Sequence, residues 1–445
     1  MFSGGPEGRA AFGARIGKGS LEHPAQSGYA TSMQPIDLNV APLHSLARRG
    51  ILCFVALTSL LLGQSLPAAS LERKPIDQLP HVKELPDPFL MADGSRVKSR
   101  EDWARRRKEL IDLILAYEYG ALPPAMASVK ATVTTARPTT RPADMPGATE
   151  SDVLLAMGPG DRVTIHLHLF IPASPAGDSG KYPIIVRGDR DKGSVNPEIA
   201  AAVVKRGYIL AEFDRTELFA DQKDIRTGGI NAAWPDYAGS ALGAWAWGYH
   251  RVVDYLLTRP DIDPRCIAIT GHSRGGKAVL LAGALDERIS LVAPNDSGCG
   301  GCGCYRFQAA KSETIENIVV RFPYWFEPRF PEFIGHVDQL PFDQHSVKAL
   351  VAPRALLETS ALNDAWSNPE GSQQTWIAAR EVFAFLSVPE QIGIASRPGK
   401  HGHNPIDWTA LLDFADWRFY GKKSDRAFDT LAFPESEKRY SWGKP

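Results

Sequence analysis

Residues 267–277 read Ile-Ala-Ile-Thr-Gly-His-Ser-Arg-Gly-Gly-Lys, an apolar run that breaks at Gly271, presents Ser273 and re-enters small residues at Gly275 and Gly276. Gly271, Ser273 and Gly275 have G-x-S-x-G spacing. A serine so placed sits on a sharp strand-to-helix turn, where the flanking glycines remove Cβ clashes that would forbid the backbone path. Its Oγ is thrust out of the sheet as a nucleophile. A helix expected over 277–285 points its N-terminal N–H groups and dipole at the place where an oxyanion would form. The pattern alone recurs by chance in many chains as a turn that merely uses small residues. A strand before it and a helix after it favour the catalytic reading.

A serine nucleophile needs a base, and in sheets of this type the order along the chain is serine, acid, histidine. His401 and His403 lie in Arg397-Pro-Gly-Lys-His401-Gly-His403-Asn-Pro, a Gly/Pro loop after the last expected strand. A neutral imidazole there takes the proton from Ser273 and returns it to the leaving alcohol. His401 leaves the strand first and precedes a flexible glycine, which makes it the preferred base; the plainer role for His403 is to cap the next helix. The acid is open. Asp364, in Ser-Ala-Leu-Asn-Asp-Ala-Trp, and Asp296, in Pro-Asn-Asp-Ser-Gly, each follow an expected strand and could fix the tautomer of the histidine. Either could equally be a turn-forming aspartate.

The elements that must position these groups alternate. The pattern predicts an opening amphipathic helix over 98–120 with Ser99 or Asp102 as N-cap and Gly120 as stop, then a Thr/Pro/Arg/Ala-rich surface loop over 134–149. An antiparallel strand is expected over 162–171, and short buried strands over 182–186 and 208–213 flank a helix over 197–206. A long helix over 241–258 leads into the serine strand. Further strands over 289–293, 355–359 and 391–395 precede a helix over 407–419. Such alternation demands a mostly parallel sheet covered on both faces, a three-layer sandwich, and with the elbow it specifies an α/β-hydrolase fold.

With 445 residues the chain accommodates one large catalytic domain, expected over 70–445. Lys+Arg 50 against Asp+Glu 51 leaves no footprint for nucleic acid or an anionic membrane surface. Arg48-Arg49, an apolar run over 51–62 and Leu66-Pro67-Ala68-Ala69 match a secretory signal too short to span a bilayer comfortably, so 1–69 reads as an N-terminal extension plus signal, with Met33 a candidate start. The mature protein is then expected in the periplasm or outside the cell, as a monomer with no stable membrane partner. Cys299-Gly-Gly-Cys302-Gly-Cys304 has metal-like spacing but no second Cys or His pair at zinc-finger distance, so a glycine-rich loop is expected there rather than a metal site, with a local disulfide permitted by export and left open.

Taken together, these stretches resemble the glucuronoyl esterases of carbohydrate esterase family 15, from about Leu85 to Lys422. The resemblance rests on Gly-His-Ser273-Arg274-Gly-Gly-Lys277, Asn-Asp296-Ser-Gly-Cys-Gly-Gly, Arg-Phe-Pro-Tyr-Trp-Phe, Leu-Pro-Phe-Asp-Gln-His345-Ser, Ala-Pro-Arg-Ala-Leu, Asn-Asp364-Ala-Trp366 and Arg-Pro-Gly-Lys-His401. It implies a serine esterase that cleaves the ester between a (4-O-methyl-)glucuronic acid of glucuronoxylan and a lignin alcohol, without metal or organic cofactor. By the same resemblance Arg274 helps form the oxyanion hole, while Lys277, Glu313, Trp366 and His345 bind the uronate. Its spacing from Ser273 gives Asp296 the larger share of the acid role over Asp364. Another carbohydrate esterase, such as an acetylxylan esterase, and a catalytically silent carbohydrate-binding relative are the competing readings; intact Ser273, His401 and two acids argue against the second.

Overall fold

A computed structural model describes residues 73–138, 146–189 and 195–445; the apolar run over 51–62 lies outside them. Among the described residues the strands are β1 (Lys130–Pro138), β2 (Thr149–Met157), β3 (Val163–Ile171), β4 (Tyr182–Arg187), β5 (Ile209–Glu212), β6 (Ile262–His272), β7 (Leu291–Asn295), β8 (Ala355–Ala361) and β9 (Ile392–Arg397). They form one sheet in the order β1-β2-β3-β5-β4-β6-β7-β8-β9. The first three strands and the β3–β5 pair are antiparallel, and every pair from β5 onward is parallel.

Strands buried on both faces explain the continuous apolar runs read from the sequence. Because side chains alternate along a strand, Ile184, Val186, Ile267 and Ile269 enter one core while Ile185 and Ala268 enter the other. The first core is roofed by the helices Ala241–Leu256, Arg274–Leu285 and Pro369–Phe385, the second by Pro197–Lys205 and Pro405–Tyr420. This is the three-layer α/β-hydrolase sandwich the alternation demands.

Local chemistry sets the ends of these elements. Ser99 and Asp102 form a reciprocal capping box at the start of Arg100–Ile114, and Asn404 does the same with Asp407 before Pro405–Tyr420. Two expectations are corrected. The stretch over 134–149 is not simply a loop: its ends belong to β1 and β2, paired from Lys130↔Ala156 to Pro138↔Thr149, while residues 139–145 fall outside the described residues. β1 is exposed at every position, so it carries no apolar alternation, and its β-branched run Thr132-Val133-Thr134-Thr135 was the only strand signal. The helix Pro369–Phe385 was not anticipated, because Ser372, Gln373, Gln374 and Thr375 are buried polar residues that hide its apolar periodicity.

Candidate active site

β6 runs to His272, and Ser273 then stands at φ 56°, ψ −120° before the helix Arg274–Leu285. A non-glycine residue in that region costs about 1–3 kcal/mol and persists only where the surroundings over-determine it. Here they do. The Ser273 N–H donates to the Asn295 carbonyl of β7 at 2.9 Å. A Cβ on Gly271 would lie 2.7 Å from the Gly275 carbonyl oxygen, so the turn closes with glycine there, and a Cβ on Gly275 would displace the Asp189 carboxylate 2.1 Å away. The Ser273 side chain makes no capping bond to its own helix, which leaves Oγ to the cleft beyond the strand ends.

His401 reaches the same cleft from the loop after β9, and its Nδ1 pairs with Asp364 Oδ2 at 2.5 Å. Burial works to raise the Asp364 carboxyl, but the His401 hydrogen bond and charge outweigh it and hold the acid below the ordinary range. The same hydrogen bond raises His401 above that of a free histidine. Asp296 is also close: one polar atom of each of Asp296, Asp364 and His401 lies within 4.8 Å of the others. Yet both Asp296 oxygens are engaged elsewhere, Oδ1 accepting from the Ala361 N–H at 2.7 Å and Oδ2 from the Gly402 N–H at 3.3 Å. Burial, with the charge of Asp364 adding to it, pushes Asp296 up to about 6. Asp364 therefore orients the imidazole, and Asp296 ties the end of β8 to the histidine loop. These three residues are also the group of possible cation ligands found among the described residues, but the Asp364–His401 bond already uses donor atoms a cation would need.

The cleft encloses about 140 Å³. On its floor Lys277 is buried, with Nζ donating to the carbonyls of Ser297 at 2.6 Å and Cys299 at 2.5 Å and lying 3.4 Å from Glu313 Oε2. Glu313 is buried too, and its N–H donates to the Trp366 carbonyl at 3.0 Å, so the two residues are fixed to each other. The Trp366 indole stands 44% exposed at the rim. Arg274 forms a wall with Phe322 and Trp325: its guanidinium lies over both rings and donates to Asp221 at 2.7 Å. A charged floor, an indole rim and a nucleophile suit a polar sugar ring carrying an ester.

A family profile described as "Glucuronyl esterase, fungi" matches residues 159–387. A 4-O-methyl-glucuronoyl methylesterase of Schizophyllum commune is 32% identical over 342 residues, 74% of this chain and 79% of the relative. The chain belongs to the glucuronoyl esterase family. A carbohydrate esterase family 15 glucuronoyl esterase from Caldicellulosiruptor kristjansonii superposes with a TM-score of 0.70 at 30% identity, covering 84% of this chain and 100% of that one. The catalytic domain of the Hypocrea jecorina glucuronoyl esterase superposes with a TM-score of 0.67 at 26% identity, covering 82% and 98%. The chain is accordingly a carboxylic ester hydrolase.

Within this glucuronoyl esterase the structure brings Ser273, Arg274, Lys277, Asp296, Glu313, Trp366 and His401 to one cleft, with Asp364 behind His401. Of the two acids, Asp364 presents an oxygen to the imidazole, and Asp296, to which the spacing gave the larger share, accepts from the Ala361 and Gly402 N–H groups instead. His345, expected at the substrate, is placed elsewhere: it is fully buried, its Nε2 pairs with the Pro86 carbonyl at 2.8 Å and its ring stacks on Trp442. Burial drives it down to about 4, so it is a neutral packing residue. His403 is half-buried, stacked on Trp408, and desolvation of its imidazole lowers it to about 3, which removes it as a base. The disulfide that export would permit is not formed. Cys299, Cys302 and Cys304 are buried free thiols in a tight turn where the N–H groups of Gly301 and Gly303 both donate to the Gly298 carbonyl, and Cys304 Sγ is taken by Asp343 and the Phe307 N–H. Asp221, Phe322, Trp325 and Asn295 went unnoticed as site residues; the one signal for two of them was the Arg-Phe-Pro-Tyr-Trp-Phe run.

Proposed function

We propose that this enzyme hydrolyses the ester between a (4-O-methyl-)glucuronic acid side group of glucuronoxylan and a lignin alcohol. The observation that carries the reading is the buried Lys277–Glu313 pair under an exposed indole in the cleft of Ser273. Lys277 spends its three N–H donors on Ser297, Cys299 and Glu313, which fixes the Glu313 carboxylate at the cleft floor, where a hydroxyl of a pyranose seated on it donates to the carboxylate. An acetyl group carries no such hydroxyl on the acyl side of the ester, since an acetylated xylan keeps its ring in the leaving alcohol.

In this mechanism His401, oriented by Asp364, takes the Ser273 proton as Oγ attacks the uronate carbonyl. The charge that develops on oxygen faces the start of the helix Arg274–Leu285 and the Arg274 guanidinium, whose attraction grows as the oxyanion forms. The His401 cation then protonates the alcohol, which leaves; water, activated by the same base, attacks the acyl-enzyme, and free uronate departs. Neither step needs a group beyond these side chains. The basic pair Arg48-Arg49 with its apolar run supports export to the polysaccharide, and no helix among the described residues is long and apolar enough to cross a membrane.

The test is one purified preparation assayed on methyl 4-O-methyl-glucuronate and on an acetylated xylan. Activity on the uronate ester at least about 100-fold higher in kcat/KM, lost in Ser273→Ala, is expected. Preferential release of acetate would replace this reading with that of an acetyl esterase.

A further inference from the structure

Asp221 sits in the loop after β5, outside every motif that marks the site, yet its carboxylate gathers the machinery on one side of the cleft. Oδ2 accepts from Arg274 Nη1 at 2.7 Å. Oδ1 accepts from the Tyr324 hydroxyl at 2.9 Å and from Trp325 Nε1 at 3.0 Å. The Arg215 guanidinium lies 4.0 Å from Oδ2, and Arg215 is itself tied down by the Gly188 carbonyl at 3.1 Å. Asp221 is 8% exposed at its side chain. Desolvation of so buried a carboxylate works to raise it, but the Arg274 hydrogen bond and charge and the two aromatic donors keep it ionised.

The Trp325 and Phe322 rings lie 4.6 Å and 5.0 Å from the Arg274 guanidinium carbon, and the two rings stack 3.9 Å apart at 3°. The long arginine side chain has rotamer freedom worth about 2 kcal/mol when unrestrained, and a donor that must be ordered at the moment of reaction gives part of its attraction back. Held by a carboxylate and by two rings, the guanidinium has given up much of that freedom before the reaction. The carboxylate uses one Nη group only, so N–H donors of the fork remain for the cleft.

We propose that Asp221 is the positioning residue for Arg274, holding the guanidinium and the Phe322–Trp325 wall as one rigid unit whose remaining donors face the oxyanion formed at Ser273. This rests on the reading of Arg274 as an oxyanion donor. Asp221 touches no substrate. It acts through Arg274, so its removal should cost kcat and spare KM.

The experiment is a double-mutant cycle on methyl 4-O-methyl-glucuronate with wild type, Asp221→Asn, Arg274→Ala and the double variant. Asp221→Asn is expected to lower kcat by about 10- to 100-fold with KM within about threefold, and the double variant should match Arg274→Ala within about twofold, because a residue that works only through Arg274 has nothing left to do without it. An unchanged kcat in Asp221→Asn, or a loss that multiplies with that of Arg274→Ala, overturns the proposal. Wild-type kcat in Arg274→Ala would instead remove the oxyanion reading beneath it, and the proposal with it. Tyr324→Phe deletes one donor to Oδ1 without touching Arg274, and covers the case in which Asp221→Asn does not fold. It should lower kcat about two- to fivefold in the wild-type background and not at all in Arg274→Ala; equal losses in both backgrounds also overturn the proposal.

Discussion

Replacing Asp364 by alanine tests how the two acids divide their work. The variant removes the oxygen 2.5 Å from His401 Nδ1 and leaves Asp296, whose nearest polar atom lies within 4.8 Å. Loss of the orienting acid in a serine triad costs about 10⁴ in kcat where nothing replaces it. An ionised carboxylate 4.8 Å away, at an effective dielectric of about 20, stabilises an imidazolium by roughly 3.5 kcal/mol. The His401 side chain is 41% exposed, so solvent screening reduces that to about 1.5–2 kcal/mol, a factor of about 10–30. Asp364→Ala should therefore lose about 300- to 1000-fold in kcat, and Asp296→Ala, which removes the distant charge and the acceptor of the Ala361 and Gly402 N–H groups but leaves the Asp364–His401 bond, clearly less than that. The double variant should fall to about 10⁴ below wild type. The rescue depends on Asp296 being ionised, and burial raises that carboxyl, so residual Asp364→Ala activity should rise with pH as Asp296 ionises. Steady-state kcat for the four proteins on a methyl glucuronate ester, between pH 5 and 8, decides the matter. An Asp364→Ala variant with more than a third of wild-type kcat, or an Asp296→Ala variant as inactive as the double, would refute the division of labour.

The raised Asp296 carboxyl also makes a stability prediction: the folded state holds its proton more tightly than the unfolded chain, so ionisation destabilises the fold progressively as pH rises from about 4 to 6 and stays constant above. The stability of wild type relative to Asp296→Asn should then fall over that interval, by at most about 3 kcal/mol, and a difference that is flat with pH in thermal melts would contradict it. Trp366→Ala should raise KM by about 5- to 20-fold with kcat and Tm nearly unchanged, since the indole is half exposed and contributes little to the core; a lost Tm would mark it as structural. Cys299, Cys302 and Cys304 are buried, and burial pushes their thiols up, Cys302 to about 12, so a thiol-reactive disulfide reagent should label them only on unfolding. Rapid labelling of the native enzyme would show that the loop opens.

What could be read from the chain alone was whatever local rules impose. Gly271 and Ser273 had to form an elbow because the turn is tight enough that a Cβ on Gly271 would lie 2.7 Å from the Gly275 carbonyl oxygen, and the apolar runs of β4 to β9 had to be a parallel sheet because both faces are buried. The nucleophile, the histidine loop and the carboxylates after β7 and β8 followed from that order. Which carboxylate meets His401 was a different kind of question: Asp296 and Asp364 occupy equivalent positions at successive strand ends, and only the packing of the loops turns one toward Nδ1 and the other toward the Ala361 and Gly402 N–H groups. The same holds for His345 and His403, which burial neutralises, for the cysteines, whose partners come from distant segments, and for Asp221, which meets Arg274 across 53 residues. Spacing along a chain encodes backbone geometry, whereas desolvation and side-chain partnership are set by atoms far apart in sequence, and so they are decided only when the tertiary structure closes.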